Sequence, residues 1–145
     1  MKRFSEELIK IVEETSLLFD EISQEDWNYR SAPGKWSRKE ILGHLIDSAA
    51  NNHQRFVRVQ FEDNPAITYE QNKWVSTEDF NNASTDNLIT LWRSYNKHLA
   101  YIISVIPKDK FTNQCNIGKE EPVTLEWLFK DYVKHLGHHI NQIIT

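Results

Sequence analysis

Four long stretches of this chain carry apolar side chains at steps of three and four residues, and no secure run alternates apolar and polar at steps of two. That period belongs to amphipathic helices. The first stretch returns Leu8, Ile9, Ile11, Val12, Thr15, Leu18 and Phe19 to one side, after a cap at Ser5 and as far as about residue 22. Ser31-Ala-Pro-Gly34 reads as a turn, and Ser37-Arg-Lys-Glu40 as a capping box with Trp36 placed to pack back on the first turns. The helix it opens carries Ile41, Leu42, Leu45, Ile46, Ala49, Ala50 and Phe56 to about residue 60. A third runs from about Ser84 to Val105, ended by Pro107. Thr124 caps a fourth, with Leu125, Leu128, Phe129, Tyr132, Val133, Leu136, Ile140 and Ile143 on its apolar side and Gly137 inside it. The segments between, Phe61–Asn82 and Lys108–Pro122, read as long ordered loops. The expectation is an all-α four-helix bundle with long connecting loops, a single domain over residues 1–145.

Composition decides whether these helices can bury a core. Hydrophobic residues make up 39 % of the chain against four glycines and four prolines, which is too apolar and too poor in breakers for disorder. A net charge of -4 argues against a nucleic-acid binder. No apolar run is long enough for a membrane span, and the charged first segment is no signal peptide. The single cysteine, Cys115, excludes an internal disulfide and any multi-cysteine zinc site, and it suits a reducing compartment such as the cytoplasm.

Six histidines remain to be explained. His135 and His139 stand one helical turn apart, so their side chains share a face at about 6 Å. His138 projects about 100° away from that face. His44, on the second helix, would complete a three-nitrogen set if the two helices face each other, with a position left for water or substrate. Imidazole suits zinc, nickel, iron and copper alike. A surface histidine pair, and a buried His44 bonded to backbone, explain the same spacing. Gln142 faces the region of His135 and His139. Asp47 and Asp131 each lie one turn from one of the histidines, where they can orient a ligand, act as a base or simply be polar surface. Arg55 and Arg58, with Asn51 and Asn52, read as a solvated helix face. The tryptophans read as packing residues.

Two stretches carry a resemblance: Gly34-Lys-Trp36-Ser-Arg-Lys-Glu40-Ile-Leu-Gly-His44-Leu-Ile-Asp47, and Thr124 through Tyr132-Val-Lys-His135-Leu-Gly-His138-His139-Ile-Asn-Gln142-Ile143. In this order, with these helix lengths, the chain resembles the DinB-like (YfiT-like) metal-binding four-helix bundle family. The resemblance implies that His44, His135 and His139 bind a divalent metal, zinc or nickel before iron or manganese. It further implies a metal-dependent hydrolase or thiol-dependent transferase acting on a small molecule, with a low-molecular-weight thiol as one candidate cosubstrate, and a homodimer. It leaves the reaction and the catalytic residue unassigned, with Asp47, Gln142 and Asp131 as candidates. No Glu stands in an H-E-x-x-H arrangement, which disfavours a zinc-protease mechanism. The competing expectation is a non-catalytic helical interaction protein with structural histidines or a structural metal.

Overall fold

Apolar stripes on four long helices can only be buried against one another, and a computed structural model describes how they do so for residues 2–145. The elements are α1 (Lys2–Asp20), α2 (Gln24–Trp27), α3 (Arg38–Arg58), α4 (Gln71–Glu78), α5 (Thr85–Val105) and α6 (Leu125–Ile144), with a short pair of strands, β1 (Gln114–Cys115) and β2 (Val123–Thr124). Helices α1, α3, α5 and α6 form the four-helix bundle. Around it, α1 packs on α5, α5 on α3, α3 on α6 and α6 on α1. Two of the three successive pairs of long helices, α1 with α3 and α5 with α6, therefore sit diagonally, and only α3 and α5 follow each other side by side. No helix among the described residues is long and apolar enough to cross a membrane.

Side chains placed by the sequence hold the helix ends. Ser37 accepts from the Glu40 amide at 3.1 Å and Glu40 accepts from the Ser37 amide at 3.0 Å, completing the capping box. Arg30 binds the same Glu40 at 2.5 Å, fixing the turn before α3. Ser84 caps α5 and Thr124 caps α6. Ser5 is not a cap: α1 begins at Lys2, and the buried Ser5 hydroxyl donates to the Ala100 carbonyl of α5 at 2.8 Å. A hydroxyl on a helix interior can be satisfied by a neighbouring helix as well as by its own backbone.

The core is aromatic at both ends. Phe19 packs against Trp27 and Trp92 at centroid distances of 5.3 and 5.0 Å, and Phe56 against Phe129 at 5.2 Å. The segment read as an unbroken loop contains a helix, α4, followed by a 3-10 turn over Phe80–Asn82. Only Val75 of α4 is buried, so the helix has no apolar stripe for periodicity to detect. Two turns are marginal alone, and docking on the bundle stabilises them. Likewise the second loop carries β1, whose backbone pairs with β2 and whose Cys115 is fully buried.

The docking point is Gly43. A Cβ there would overlap the Phe80 ring, so the glycine lets the α4 segment lie directly on α3 beside His44. Gly137 behaves oppositely: a Cβ meets nothing within 4 Å, and no structural feature explains the glycine. Gly43→Ala is therefore expected to destabilise the protein by ~1–3 kcal/mol through overpacking. Gly137→Ala is expected to stabilise it by up to ~1 kcal/mol by removing a flexible helix interior. Urea unfolding of the two variants beside the wild type checks both signs.

Candidate metal centre

The antiparallel packing of α3 on α6 sets three imidazoles against each other. Register is fixed from one end, where Arg38 Nε donates to the Ile143 carbonyl at 2.9 Å. One and a half turns further along α3, His44 meets His135 and His139. His44 Nε2 lies 3.3 Å from His135 Nε2, and His139 Nε2 lies 3.1 Å from His135 Nε2. Ligand atoms of all three fall within 4.8 Å of one another. His44 is fully buried, and the other two are partly open.

Hydrogen bonding alone does not account for this cluster. The Gln142 carbonyl oxygen, which only accepts, lies 2.8 Å from His139 Nδ1, so that nitrogen carries the hydrogen and Nε2 presents a lone pair. The same amide places its nitrogen 3.4 Å from His138 Nε2, consistent with this assignment. A hydrogen on His135 Nε2 can point along one of its two short contacts, not both. Three converging imidazole nitrogens are the donor set of a divalent cation, and the residues fit one.

The rings are held neutral, as ligation requires. Burial first, then the charges of the neighbouring histidines, pushes His44 down to about 3. Burial and then His139 push His135 down to about 4, while the carboxylate of Asp131 pulls the other way. Burial lowers His139 too. The Trp36 ring covers His44 at a centroid distance of 5.0 Å. His44 Nδ1 is buried with no hydrogen-bond partner among the described residues.

The remaining candidates separate clearly. Gln142 contacts His139. Asp131 is exposed and acts on His135 only through its charge. Asp47 is buried, with one carboxyl oxygen lacking a hydrogen-bond partner among the described residues; burial first, then the neighbouring Glu78 of α4, pushes it up to about 8. That direction favours its protonated form near neutral pH. The reading of Arg55, Asn51 and Asn52 as a solvated face is overturned, since all three are buried. Arg55 donates to the Ile67 carbonyl at 2.8 and 3.1 Å, anchoring the segment before α4, and Arg58 pairs with Glu62. His53 belongs to a separate contact between α3 and α5, 2.8 Å from the Tyr95 hydroxyl. Cys115 is buried, and burial raises its thiol, which is the opposite of an activated nucleophile.

A cleft of about 650 Å³ opens beside the histidines, lined by Tyr29, Trp36, Arg38, Gln71, His139 and Gln142 among others. Sequence reasoning assigned none of Tyr29, Trp36 and Arg38 to it. Trp36 had a usable signal, because a residue just before a capping box packs onto the first turns of its helix and so lies near a site about two turns on. Arg38 had none, since its anchor is 105 residues away.

The family model of the DinB superfamily matches residues 8–143. Among curated proteins, one named "Putative metal-dependent hydrolase YfiT" from Bacillus subtilis (strain 168) is 28 % identical over 123 residues, covering 83 % of this chain and 68 % of the relative. A relative of the same description from Bacillus mycoides (strain KBAB4) is 22 % identical over 144 residues, covering 97 % and 83 %. The solved structure of YfiT from Bacillus subtilis, described as an unusual four-helix bundle topology, superposes with a TM-score of 0.83 at 23 % identity, covering 96 % of this chain and 83 % of that one. A DinB-like protein from Bacillus cereus superposes at 0.68 with 17 % identity, covering 97 % and 85 %. At these identities the structural likeness speaks for the fold.

Two opposed pH effects follow from the buried groups. Between their ordinary value of 6.5 and folded values of about 3 and 4, His44 and His135 bind protons in the unfolded chain but not in the folded one, so stability falls on acidification. Asp47 holds its proton in the folded state between 3.8 and about 8, so its contribution is lost as pH rises through that window. For metal-free protein, the Tm of His135→Gln should gain on the wild type as pH falls from 6.5 towards 4. The Tm of Asp47→Asn should gain as pH rises from 4 to 9. A flat difference in either series contradicts that residue's environment.

Proposed function

The chain belongs to the DinB superfamily, and from that premise we propose that it is a metal-dependent hydrolase of small molecules whose divalent ion is held by His44, His135 and His139. The single observation that carries the reading is the convergence of three neutral imidazole nitrogens that cannot satisfy one another by hydrogen bonds. The names of the Bacillus relatives agree with it. Imidazole alone suits zinc, nickel, iron and copper, and the family resemblance puts zinc or nickel first.

When bound, such an ion supplies Lewis-acid polarisation of a substrate oxygen and acidifies water or a thiol. The chain's own residues do the rest. Gln142 keeps the His139 hydrogen on Nδ1 and so aims Nε2 at the ion. Trp36 and the burial of α3 keep water and protons from His44, and the cleft admits the substrate from the His139 side. Burial and the neighbouring Glu78 push Asp47 up to about 8, which disfavours it as an ionised base at neutral pH.

Metal reconstitution after purification without a metal-affinity column tests the reading. One zinc or nickel ion per chain is expected, raising the unfolding free energy by about 2.7 kcal/mol at a hundredfold excess over Kd. Gln142→Ala should weaken affinity by about 10- to 100-fold, and His139→Ala by more. A screen of ester, amide and phosphoester substrates should find turnover in the loaded wild type that His139→Ala abolishes. Folded protein that takes up no divalent ion overturns the proposal. Uptake with no turnover assigns the ion to stabilising the bundle instead.

A further inference from the structure

The charged side chains that line the cleft beside the histidines are of one sign. The lining includes Lys35 and Arg38 and no Asp or Glu side chain, in a chain whose net charge is -4. Arg38 is the anchored member, and like the buried Arg55 it has no carboxylate partner among the described residues. Arg30, Arg58 and Arg93 each bind a carboxylate: Glu40, Glu62 and Asp20 respectively. Arg38 forms no ion pair among the described residues. Two neutral carbonyls hold it instead, that of Ile143 at 2.9 Å from Nε and that of Asp26 at 3.2 Å from Nη1. The Tyr29 ring lies beneath its guanidinium at 4.8 Å.

These contacts fix the guanidinium plane without neutralising its charge. A guanidinium has five N–H groups, and both of those on Nη2 have no partner among the described residues. A planar, immobilised, uncompensated donor pair at the wall of a cleft is the arrangement that binds carboxylate or phosphate in two-pronged fashion. Little side-chain freedom remains to be lost on binding.

We infer that this cleft receives the anionic end of the substrate, with Arg38 binding its carboxylate or phosphate group and Lys35 adding positive charge at the rim. Six residues of α3 separate Arg38 from His44, about 9 Å along the helix axis. The substrate class is therefore a small molecule with an anionic group at one end and the reacting bond at the other. A cleft of about 650 Å³ holds such a molecule. This inference rests on the reading of the histidine cluster as the reacting end of the same cleft.

The test is titration of isotope-labelled, metal-free protein with inorganic phosphate, with succinate, and with butane-1,4-diamine as a cation of similar length. Phosphate or succinate should saturably shift the Arg38 Nε–H and Trp36 indole N–H resonances, whichever binds tighter naming the anion, while the diamine shifts neither. Arg38→Met should weaken anion binding about tenfold or more, as loss of a charged hydrogen-bond partner does, and Arg38→Lys by less. Because Arg38 also ties α3 to α6, a variant that fails to fold leaves the wild-type shift map to decide. Shifts absent or away from Arg38 and Trp36, or unchanged affinity in folded Arg38→Met, overturn the inference. A parallel metal titration separates the two readings. Metal uptake without anion binding removes the anion subsite alone, and anion binding without metal uptake removes the metal centre alone.

Discussion

Three imidazole nitrogens lie about as close together as hydrogen-bonded atoms do, yet only one of the two short contacts can hold a hydrogen. That constraint organises this end of the bundle. The rings must be neutral to coexist, and burial within the helix pair makes them so. Their approach demands that α3 and α6 keep one register. The Arg38 bond to the last turn of α6 holds that register at one end, and the Gln142 bond aims His139 at the other two. Gly43 brings Phe80 and the α4 segment down beside the cluster, where a larger residue would hold them off.

The same helix carries a second burden. From His44 the face of α3 continues through Asp47, Ser48, Asn51, Asn52 and Arg55, all buried. Burying such groups is unfavourable unless each finds a partner. Asn51 and Asn52 donate back to carbonyls one turn earlier, and Arg55 donates to the Ile67 carbonyl. Asp47 keeps one oxygen without a partner among the described residues, and burial beside Glu78 favours its protonated form, which lessens the cost of a buried charge. The segment before α5 is thereby bound to α3 by polar contacts and by Phe80, not by an apolar stripe of its own.

Legibility followed the range of the interactions. The four long helices, the capping box at Ser37 and Glu40, the start of the third long helix at about Ser84 and the cap at Thr124 involve residues within four positions of each other, and the observed helices agree with them. Ser5 was misread because its partner, Ala100, is in another helix. Helix α4 was invisible because a single buried residue, Val75, makes no period. Arg55 was read as solvated because arginines on a helix usually are; the loop that covers it comes from residues whose own pattern says nothing of where they dock.

By itself the sequence determined that this is an all-α chain of four amphipathic helices, and that His135 and His139 share a helix face. Both follow from a period of 3.6 residues per turn, which is local. The family resemblance added His44 as their companion. Only the tertiary structure decided that α1 and α3 lie diagonally, that His44 Nε2 arrives within 3.3 Å of His135, that Asp47 turns to Glu78, and that Arg38 stands uncompensated in the cleft. Each of these depends on how distant segments pack, where side-chain size, as at Gly43, and partners remote in the chain, as at Ile143, select one arrangement among many with the same local pattern.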